Sequence, residues 1–502
     1  MMLLATFLTE ILILAGIFSL LAVDLLFLRK KDATERVKSL GALASLLVIA
    51  TGVILFLRGN SVQTVHALGG MWVLDPLVLF FKEVILAITL ITILISMEKP
   101  FTSHISEYYA LILFACLGML FLVSAEELIM IYVALELLSV SLYILVAFHQ
   151  GVPRSSEGAV KYFLFGALSS SFLYFGASYL YGLSGATNLT FLGQYLGSLP
   201  TPFGPERSLL WVAAAFILVG LGFKVAVVPF HLWAPDAYEG APTPVTAYIS
   251  TGSKLASFFI LIKILLLAMK PIGGSPLHTQ FGGGWEASLA IVAVFSMTLG
   301  NLVAMTQKNL KRMLAYSSIA HAGYILVGVV AATRMGIASV FYYLVVYAFT
   351  QLGAFGVVTA ISAKVGGDAI EDFSGMGKRT PLLSMLMAVF ILSLAGIPPL
   401  AGFFGKFYVF LSAVGRDPQG YGLMWLVVVG VANSAISLYY YLKILKQMYI
   451  VEPKEVTPLR TSGTMVLALS LCALFVIGLG IFPHPLISYL NTLLSYLPLR
   501  NL

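Results

Sequence analysis

The chain has 502 residues, of which 60% are hydrophobic and only 10% are charged, and its formal net charge is +7. Soluble domains are about half apolar and a quarter charged, so this composition excludes an ordinary soluble protein. The basic residues are scattered through short segments, which excludes the clustered basic face typical of a nucleic-acid partner. Apolar stretches of about 20 residues recur from end to end, which is the length that crosses a bilayer as a helix. An all-α polytopic membrane protein in contact with lipid is therefore predicted, because no β-barrel alternation is present.

The apolar stretches predict fourteen membrane spans in a single transmembrane domain, residues 1–502. The first lacks the basic start and the cleavage site of a signal peptide, so it is interpreted as a retained helix. In chain order, the predicted spans are 3–28, 39–57, 75–97, 107–124, 127–148, 158–183, 208–238, 243–269, 286–306, 313–333, 337–363, 380–413, 422–450 and 462–483.

Spans seven and twelve are unusually long and contain prolines. Pro229 and Pro235 lie in span seven, and Pro398 and Pro399 lie in span twelve. Proline removes a helical hydrogen bond and clashes with the preceding turn, so both spans are predicted to be broken helices. Inside a membrane, non-helical backbone persists only where protein or a wet cavity satisfies it, and such breaks are typical of transport sites.

The two breaks also predict an internal repeat. Spans four to eight, residues 107–269, would form one five-helix unit, and spans nine to thirteen, residues 286–450, would form the second. Because a unit of five helices begins on opposite sides of the membrane in its two copies, the repeat would be inverted. Direct sequence similarity between the halves is weak.

The loops differ in their content of basic residues, which predicts the orientation of the chain. The loops after odd-numbered spans contain fifteen Lys and Arg residues, whereas the even-numbered loops and the C-terminus contain six. Cytoplasmic loops of membrane proteins are the ones enriched in Lys and Arg. Both termini are therefore expected on the outer side of the membrane.

Several ionisable residues fall inside the predicted spans: Glu136, Lys161, Lys224, Lys254 and Lys406. Glu136 and Lys254 lie about 13 Å and 16 Å into their spans, at a rise of 1.5 Å per residue. A charge at the bilayer centre costs roughly 2.5–3.5 kcal/mol, so a functional role is the default interpretation. A buried lysine can exchange a proton near neutral pH, and an approaching carboxylate changes that exchange.

This pattern predicts a proton relay. Glu136 is interpreted as a modulator paired with Lys224, Lys254 as the middle carrier, and Lys406 as the far exit. Sodium is a poor cargo, because a hard cation prefers oxygen ligands and is repelled by buried lysines. The alternative for each residue is a static ion pair that holds helices together. This alternative is strongest for Lys161, which lies near a helix end and can extend towards the surface.

Two histidines, His231 and His321, also lie well inside spans. Each is a candidate for passing a proton or gating water, and each is equally consistent with a hydrogen-bonded core residue. The sequence has no Walker motif, no dinucleotide fingerprint and no cysteine cluster, and Cys116 and Cys472 are far apart. No cofactor or metal is therefore expected in this chain, and a partner or a gradient has to drive it.

Long segments of the chain resemble the antiporter-like subunits of respiratory complex I. The stretch Gly220–Phe258 resembles their central signature, and three further segments extend the resemblance over most of the chain: IYVALELLSVSLYILVAF in span five, KRMLAYSSIAHAGYILVG entering span ten and LSLAGIPPLAGFFGKFYVF in span twelve. The middle subunit of that family is expected to have glutamate where this chain has Lys406, and the distal one has an added lateral helix. The chain is thus most similar to the antiporter-like subunit nearest the quinone-reducing end.

The resemblance implies a proton-translocating membrane subunit of NADH–quinone oxidoreductase, with a translocase role but no redox site of its own. It implies the relay roles given above and favours Lys161 as an added relay residue. NADH, FMN, iron–sulfur clusters and quinone are expected in partner subunits, which include peripheral, membrane and further antiporter-like subunits. The implied location is the bacterial cytoplasmic (inner) membrane, with both termini periplasmic.

Two other functions remain as alternatives. One is a gradient-driven cation/proton antiporter subunit, of the multisubunit sodium/proton or hydrogenase-linked kind. The other is a scaffold that transmits only conformational change.

Overall fold

The computed structural model describes residues 6–59, 64–149, 151–199, 205–274, 284–416, 422–453, 455 and 457–497. Thirteen helices in these ranges are long and apolar enough to cross a membrane, and span twelve consists of two shorter apolar helices. Together they account for the fourteen predicted spans. Residues 3–5, where span one is predicted to begin, lie outside the described residues.

The helices of the fourteen spans have these bounds, in order: Leu8–Leu28, Ala33–Gly59, Pro76–Ser96, Ile105–Ser124, Leu128–Val146, Pro153–Ser184, Pro205–Val225 with Trp233–Gly240, Thr243–Ala268, Trp285–Thr306, Leu310–Ala331, Arg334–Val365, Pro381–Ala395 with Ala401–Gly415, Met424–Tyr449 and Gly463–Ile481. Short helices Leu189–Gly197 and His484–Leu493 follow spans six and fourteen. A two-stranded antiparallel ribbon, Val65–Ala67 with Trp72–Leu74, precedes span three.

Local sequence explains where several spans begin. Asp75 caps span three, because its side chain accepts a 2.8 Å hydrogen bond from the backbone N–H of Val78 and Pro76 occupies the first helical position. Asn309 caps span ten in the same way, through the N–H of Arg312 at 3.0 Å. Spans eight, ten and eleven are almost completely buried and form the centre of the helix bundle.

Spans seven and twelve are broken, as predicted. Helical structure stops at Val225 and resumes at Trp233 in span seven, and it stops at Ala395 and resumes at Ala401 in span twelve. Each break contains one cis X–Pro peptide bond, Val228–Pro229 and Pro398–Pro399.

Serine hydroxyls accept backbone N–H groups at both breaks. The N–H of Val228 donates to Ser296 Oγ at 3.0 Å, and that of Gly402 donates to Ser393 Oγ at 3.1 Å. These bonds replace part of the helical hydrogen bonding that is lost inside the membrane.

One proline does not have the predicted role. Pro235 lies in the first turn of the helix Trp233–Gly240, after the break rather than in it. The first N–H groups of a helix have no intrahelical partner, so proline is tolerated there. Its identification as a helix breaker is therefore wrong.

The two halves of the chain share connections at equivalent places. An isolated β-bridge joins Glu127, before span five, to Asn188, after span six. A second bridge joins Asn309, before span ten, to Ala369, after span eleven. Spans six and eleven each have 32 residues.

Both halves also contain a close helix contact at a glycine. A Cβ on Gly118 of span four would lie 2.7 Å from the backbone nitrogen of Leu138 in span five. A Cβ on Gly300 of span nine would lie 2.7 Å from the backbone nitrogen of Ala320 in span ten. Small residues let membrane helices approach this closely.

The close contact predicts the effect of Gly300→Val. Its side chain has to push span ten away, and such overpacking costs about 1–3 kcal/mol. We expect less of the variant chain in the assembled complex on a native gel, and a lower melting temperature. Gly478→Val is the matched control, because a Cβ there meets nothing within 4 Å. Equal behaviour of the two variants would contradict the prediction.

Candidate functional site: a line of buried lysines

Lys224 lies in the last turn of the first half of span seven, one residue before that helix ends. Its ammonium donates to Ser139 Oγ of span five at 2.6 Å and is otherwise surrounded by aromatic rings. The Nζ atom lies 5.5 Å from the ring centre of Phe223 and 6.0 Å from that of Tyr143. The side chain is buried, so an ionisable amine lies inside the bundle directly before the break in span seven.

The sequence predicts that Glu136 pairs with Lys224, but the structure shows no ion pair between them within 4 Å; the carboxylate acts on the Lys224 amine only through a longer-range electrostatic interaction. Glu136 is half-buried and accepts a 2.5 Å hydrogen bond from Ser170 Oγ of span six. No ion pair in the described residues joins it to Lys224. The reason is Ser139, which lies three residues after Glu136 on the same helical face and binds the ammonium instead.

Lys254 lies in span eight, directly after the π-helical turn Ile249–Ser253. Its ammonium donates to both oxygens of Ser318 in span ten, to Oγ at 2.5 Å and to the carbonyl at 2.8 Å. The hydroxyl of Tyr347 in span eleven donates to the same Ser318 Oγ at 2.8 Å. Single π-turns inside α-helices are frequent at functional sites.

Lys406 lies in the second half of span twelve and reaches back to the end of the first half. Its ammonium donates to the carbonyl oxygens of Leu394 and Ala395, both at 3.1 Å, and to Ser434 Oγ at 2.9 Å. The last carbonyls of a helix lack intrahelical partners and carry partial negative charge. The helix break therefore creates the binding site for this lysine.

His321 lies between two tyrosine hydroxyls at the centre of the bundle. Its Nδ1 is 2.8 Å from the hydroxyl of Tyr343, and its Nε2 is 3.0 Å from that of Tyr441. The hydroxyl of Tyr441 is also hydrogen-bonded to Ser317 Oγ.

This group connects the surroundings of the two central lysines. Ser317 is next in sequence to Ser318, the partner of Lys254. Tyr324, one turn after His321 on span ten, lies with its ring centre 4.9 Å from the Nζ of Lys406. We call the polar groups from Ser318 through Ser317, Tyr441 and His321 to Tyr324 the central track.

The other histidine lies elsewhere. His231 is in the break of span seven and is buried, and its Nδ1 has no hydrogen-bond partner among the described residues. It is not part of the central track.

Lys161 lies apart from the central lysines and is 39% exposed in this chain. It forms ion pairs with Glu157 at 2.6 Å and with Asp236 at 2.7 Å, and Asp236 also pairs with Arg312 at 2.5 Å. This network ties span six to span seven and span ten at one end of the bundle.

Sequence reasoning missed the residues that bind the lysines. Ser139 and Ser318 were detectable, because each lies within a long motif and close to a residue already selected. The tyrosines were not, because the chain contains 24 of them. No cluster of three or more His, Cys, Asp or Glu side chains suited to a metal occurs in the described ranges.

A polytopic bundle with two broken spans and a line of buried lysines is the architecture of an antiporter-like membrane subunit. The family described as NADH:quinone oxidoreductase/Mrp antiporter, TM matches residues 125–437. NADH-quinone oxidoreductase subunit N 2 of Acidobacterium capsulatum is 41% identical to this chain, over 96% of this chain and 97% of the relative. The chain therefore belongs to the NADH:quinone oxidoreductase/Mrp antiporter family, among its NADH-quinone oxidoreductase N subunits.

Solved structures agree with this assignment. A chain of respiratory complex I from Thermus thermophilus superposes with a TM-score of 0.77 at 30% identity, over 96% of this chain and 99% of that chain. A chain of the Mrp complex from a Dietzia species gives a TM-score of 0.82 at 19% identity, over 98% and 97%. At that identity, the second likeness shows the fold alone.

The contacts of Lys406 predict a defect in Gly396→Ala. Gly396 has φ +83°, and a Cβ there would lie 3.1 Å from Cδ and 3.3 Å from Nζ of Lys406. The new methyl group should displace the ammonium from the helix-end carbonyls and lower the rate of proton pumping in membrane vesicles. Gly366→Ala is the control, because it has φ +82° but no atom within 4 Å of its Cβ. A similar loss in both variants would assign the effect to backbone strain alone.

Proposed function

We propose that this chain carries protons across the membrane within an NADH–quinone oxidoreductase, with Lys224, Lys254 and Lys406 as successive carriers. One observation supports this most directly: none of the three forms an ion pair in the described structure, and each ammonium is held by hydroxyl or carbonyl oxygens. A buried charge without a counter-charge costs several kcal/mol, and losing or gaining a proton changes that cost. These are the properties of a carrier rather than of a structural salt bridge.

The proton enters at Lys224 and leaves beyond Lys406. A proton taken from the inner side converts the amine of Lys224 to ammonium, and Glu136 stabilises that ammonium when it moves towards it. When Glu136 withdraws, Lys224 passes the proton to the neutral amine of Lys254. The central track then conducts it to Lys406, which releases it to the outer side or to the next subunit.

Lys161 has a supporting role in this scheme. Its ion pairs with Glu157 and Asp236 hold the inner end of span six against the second half of span seven. This network lies at the end of the bundle where protons are taken up. His231 lies in the adjacent break and is assigned to the entry side.

Partner subunits supply the energy. We assign the electron transfer from NADH to quinone, with FMN and iron–sulfur clusters, to those subunits. The partners are the other membrane and peripheral subunits of the complex, including further antiporter-like subunits. The gradient-driven antiporter shares the family and the fold with this chain, but the relative that is 41% identical is named as an NADH-quinone oxidoreductase subunit.

The complex resides in the bacterial inner membrane with both termini of this chain on the periplasmic side, because basic residues are concentrated in the odd-numbered loops. Residues 107–269 and 286–450 form the two copies of an inverted repeat. The two β-bridges and the two glycine contacts at matching places support this division.

The central test of the relay is Lys224→Ala in the intact complex. We expect the complex to assemble on a native gel, and NADH-driven proton uptake by inverted vesicles to fall by roughly a hundredfold, the lower range for removing a proton-transfer group. Lys446→Ala is the control, since Lys446 is exposed near the inner end of span thirteen. Normal pumping by assembled Lys224→Ala complex would refute the relay.

The orientation is testable with single cysteines. Ser198, after span six, should lie outside, and Ser103, after span three, should lie inside; both are exposed, whereas the native cysteines are buried. A membrane-impermeant maleimide should label Ser198→Cys in right-side-out vesicles and Ser103→Cys only in inverted ones. The reverse labelling would invert the assigned topology.

A further inference from the structure

Two buried ion pairs lie outside the relay. Lys263 of span eight pairs with Glu126, between spans four and five, at 2.6 Å. Lys82 of span three pairs with Glu10 of span one at 2.5 Å. All four charged side chains are buried, and the relay uses none of them.

The position of Lys263 relates it to the relay. It lies nine residues after Lys254 on the same span, about 14 Å further along at 1.5 Å per residue. Because span eight runs from the inner to the outer side in the proposed topology, Lys263 lies near its outer end. Its ammonium also donates to the carbonyl oxygen of Ala125 at 2.9 Å.

Glu127 connects this pair to the outer surface. It follows Glu126 directly and lines a cavity of about 410 Å³ together with Gly70 and Thr187. The hydroxyl of Thr187 donates to one of its carboxylate oxygens. The other oxygen, Oε2, is buried and has no hydrogen-bond partner among the described residues.

Two more buried oxygens without partners lie along the same path. Ser257 is one turn beyond Lys254 on span eight, and Ser124 is two residues before Glu126; neither hydroxyl has a hydrogen-bond partner in the described residues. The middle part of span eight packs against span four, which Ser124 ends. Buried polar groups that lack protein partners usually bind ordered water.

We propose that Ser257, the Lys263–Glu126 pair and Glu127 form a second proton outlet, from Lys254 to the outer cavity beside Glu127. This inference rests on the proposed relay, because Lys254 is the source of the proton. The ammonium of Lys254 loses one proton and becomes a neutral amine, and the carboxylate of Glu126 gains that proton and becomes a carboxylic acid. Glu126 then passes the proton to the carboxylate of Glu127, which releases it to water in the outer cavity.

The proposed path can conduct protons only when span eight moves, because apolar side chains interrupt it. Between Ser257 and Lys263, over about 9 Å of helix rise, the span carries the buried side chains Phe259, Ile260 and Leu261. π-Helical turns, Ile249–Ser253 and Ile264–Ala268, flank the segment Lys254–Lys263. Such turns are places where a helix changes register or bends.

The experiment compares two double variants in the intact complex. Glu126→Gln with Lys263→Met removes the outlet pair, and Glu10→Gln with Lys82→Met removes a buried pair of the same chemistry that does not line the outer cavity. Replacing both partners removes one positive and one negative charge together, so neither partner is left as an uncompensated buried charge and assembly should survive in both cases. The readouts are assembly on a native gel, NADH oxidation, and protons taken up by inverted vesicles per NADH oxidised.

We expect the outlet variant to assemble and to move fewer protons per NADH, with coupled turnover slowed by roughly tenfold or more. The control double variant should take up as many protons per NADH as the wild type. The single variant Glu126→Asp keeps a carboxylate at this position, so it should pump protons, unlike Glu126→Gln. Because Glu126 becomes a carboxylic acid during turnover in this proposal, an infrared difference spectrum should show a carboxyl band that is absent in Glu126→Gln.

Three outcomes would overturn the proposal. An equal loss of proton uptake in both double variants would show that the two ion pairs have a structural role only. Normal proton movement in the outlet variant, with pumping lost in Lys224→Ala, would reject the outlet and leave the relay standing. Normal pumping in Lys224→Ala would reject the relay and the outlet together.

Discussion

An ammonium group inside a membrane bundle needs hydrogen-bond acceptors, and in this protein other spans and a helix end supply them. Spans seven and twelve are interrupted close to Lys224 and Lys406. Serine hydroxyls of spans five, ten and thirteen accept hydrogen bonds from the lysines of spans seven, eight and twelve, respectively. Lys406 uses two carbonyl oxygens that are left free where the first half of span twelve ends, whereas Lys254 uses the hydroxyl and the carbonyl of Ser318 within span ten. The prolines of the break in span twelve therefore help to form the site of Lys406, because the break frees the two carbonyl oxygens that bind it.

The chain contains two chemically different kinds of buried lysine. Lys82 and Lys263 each contact a carboxylate at hydrogen-bond distance, so their charge is balanced within the protein. Lys224, Lys254 and Lys406 contact only neutral oxygens. Sequence position alone does not separate these two groups, since all five residues lie in apolar spans. The separation depends on which residues of distant spans face them, and it appears only in the folded bundle.

The sequence predicted the fold well, because a bilayer leaves few alternatives to apolar helices of about 20 residues. It predicted both broken spans, and it failed at Pro235 because helix caps depend on backbone geometry. For the site, it identified the buried lysines by the cost of their charge. It did not reveal that Ser139 separates Glu136 from Lys224, since the rotation of span five relative to span seven is set by packing.

The three hydrogen bonds of Lys406 depend on whether its amine is charged, because the number of N–H donors changes with protonation. An ammonium has three N–H groups, and here each has one acceptor: two helix-end carbonyls and the hydroxyl of Ser434. A neutral amine has only two N–H groups and one lone pair. When the proton leaves, one acceptor loses its donor, and the Ser434 hydroxyl can compensate by turning round to donate to the nitrogen. The two carbonyls of span twelve then keep their N–H donors but lose the full positive charge beside their partial negative charge, so the break is held less tightly when the lysine is neutral.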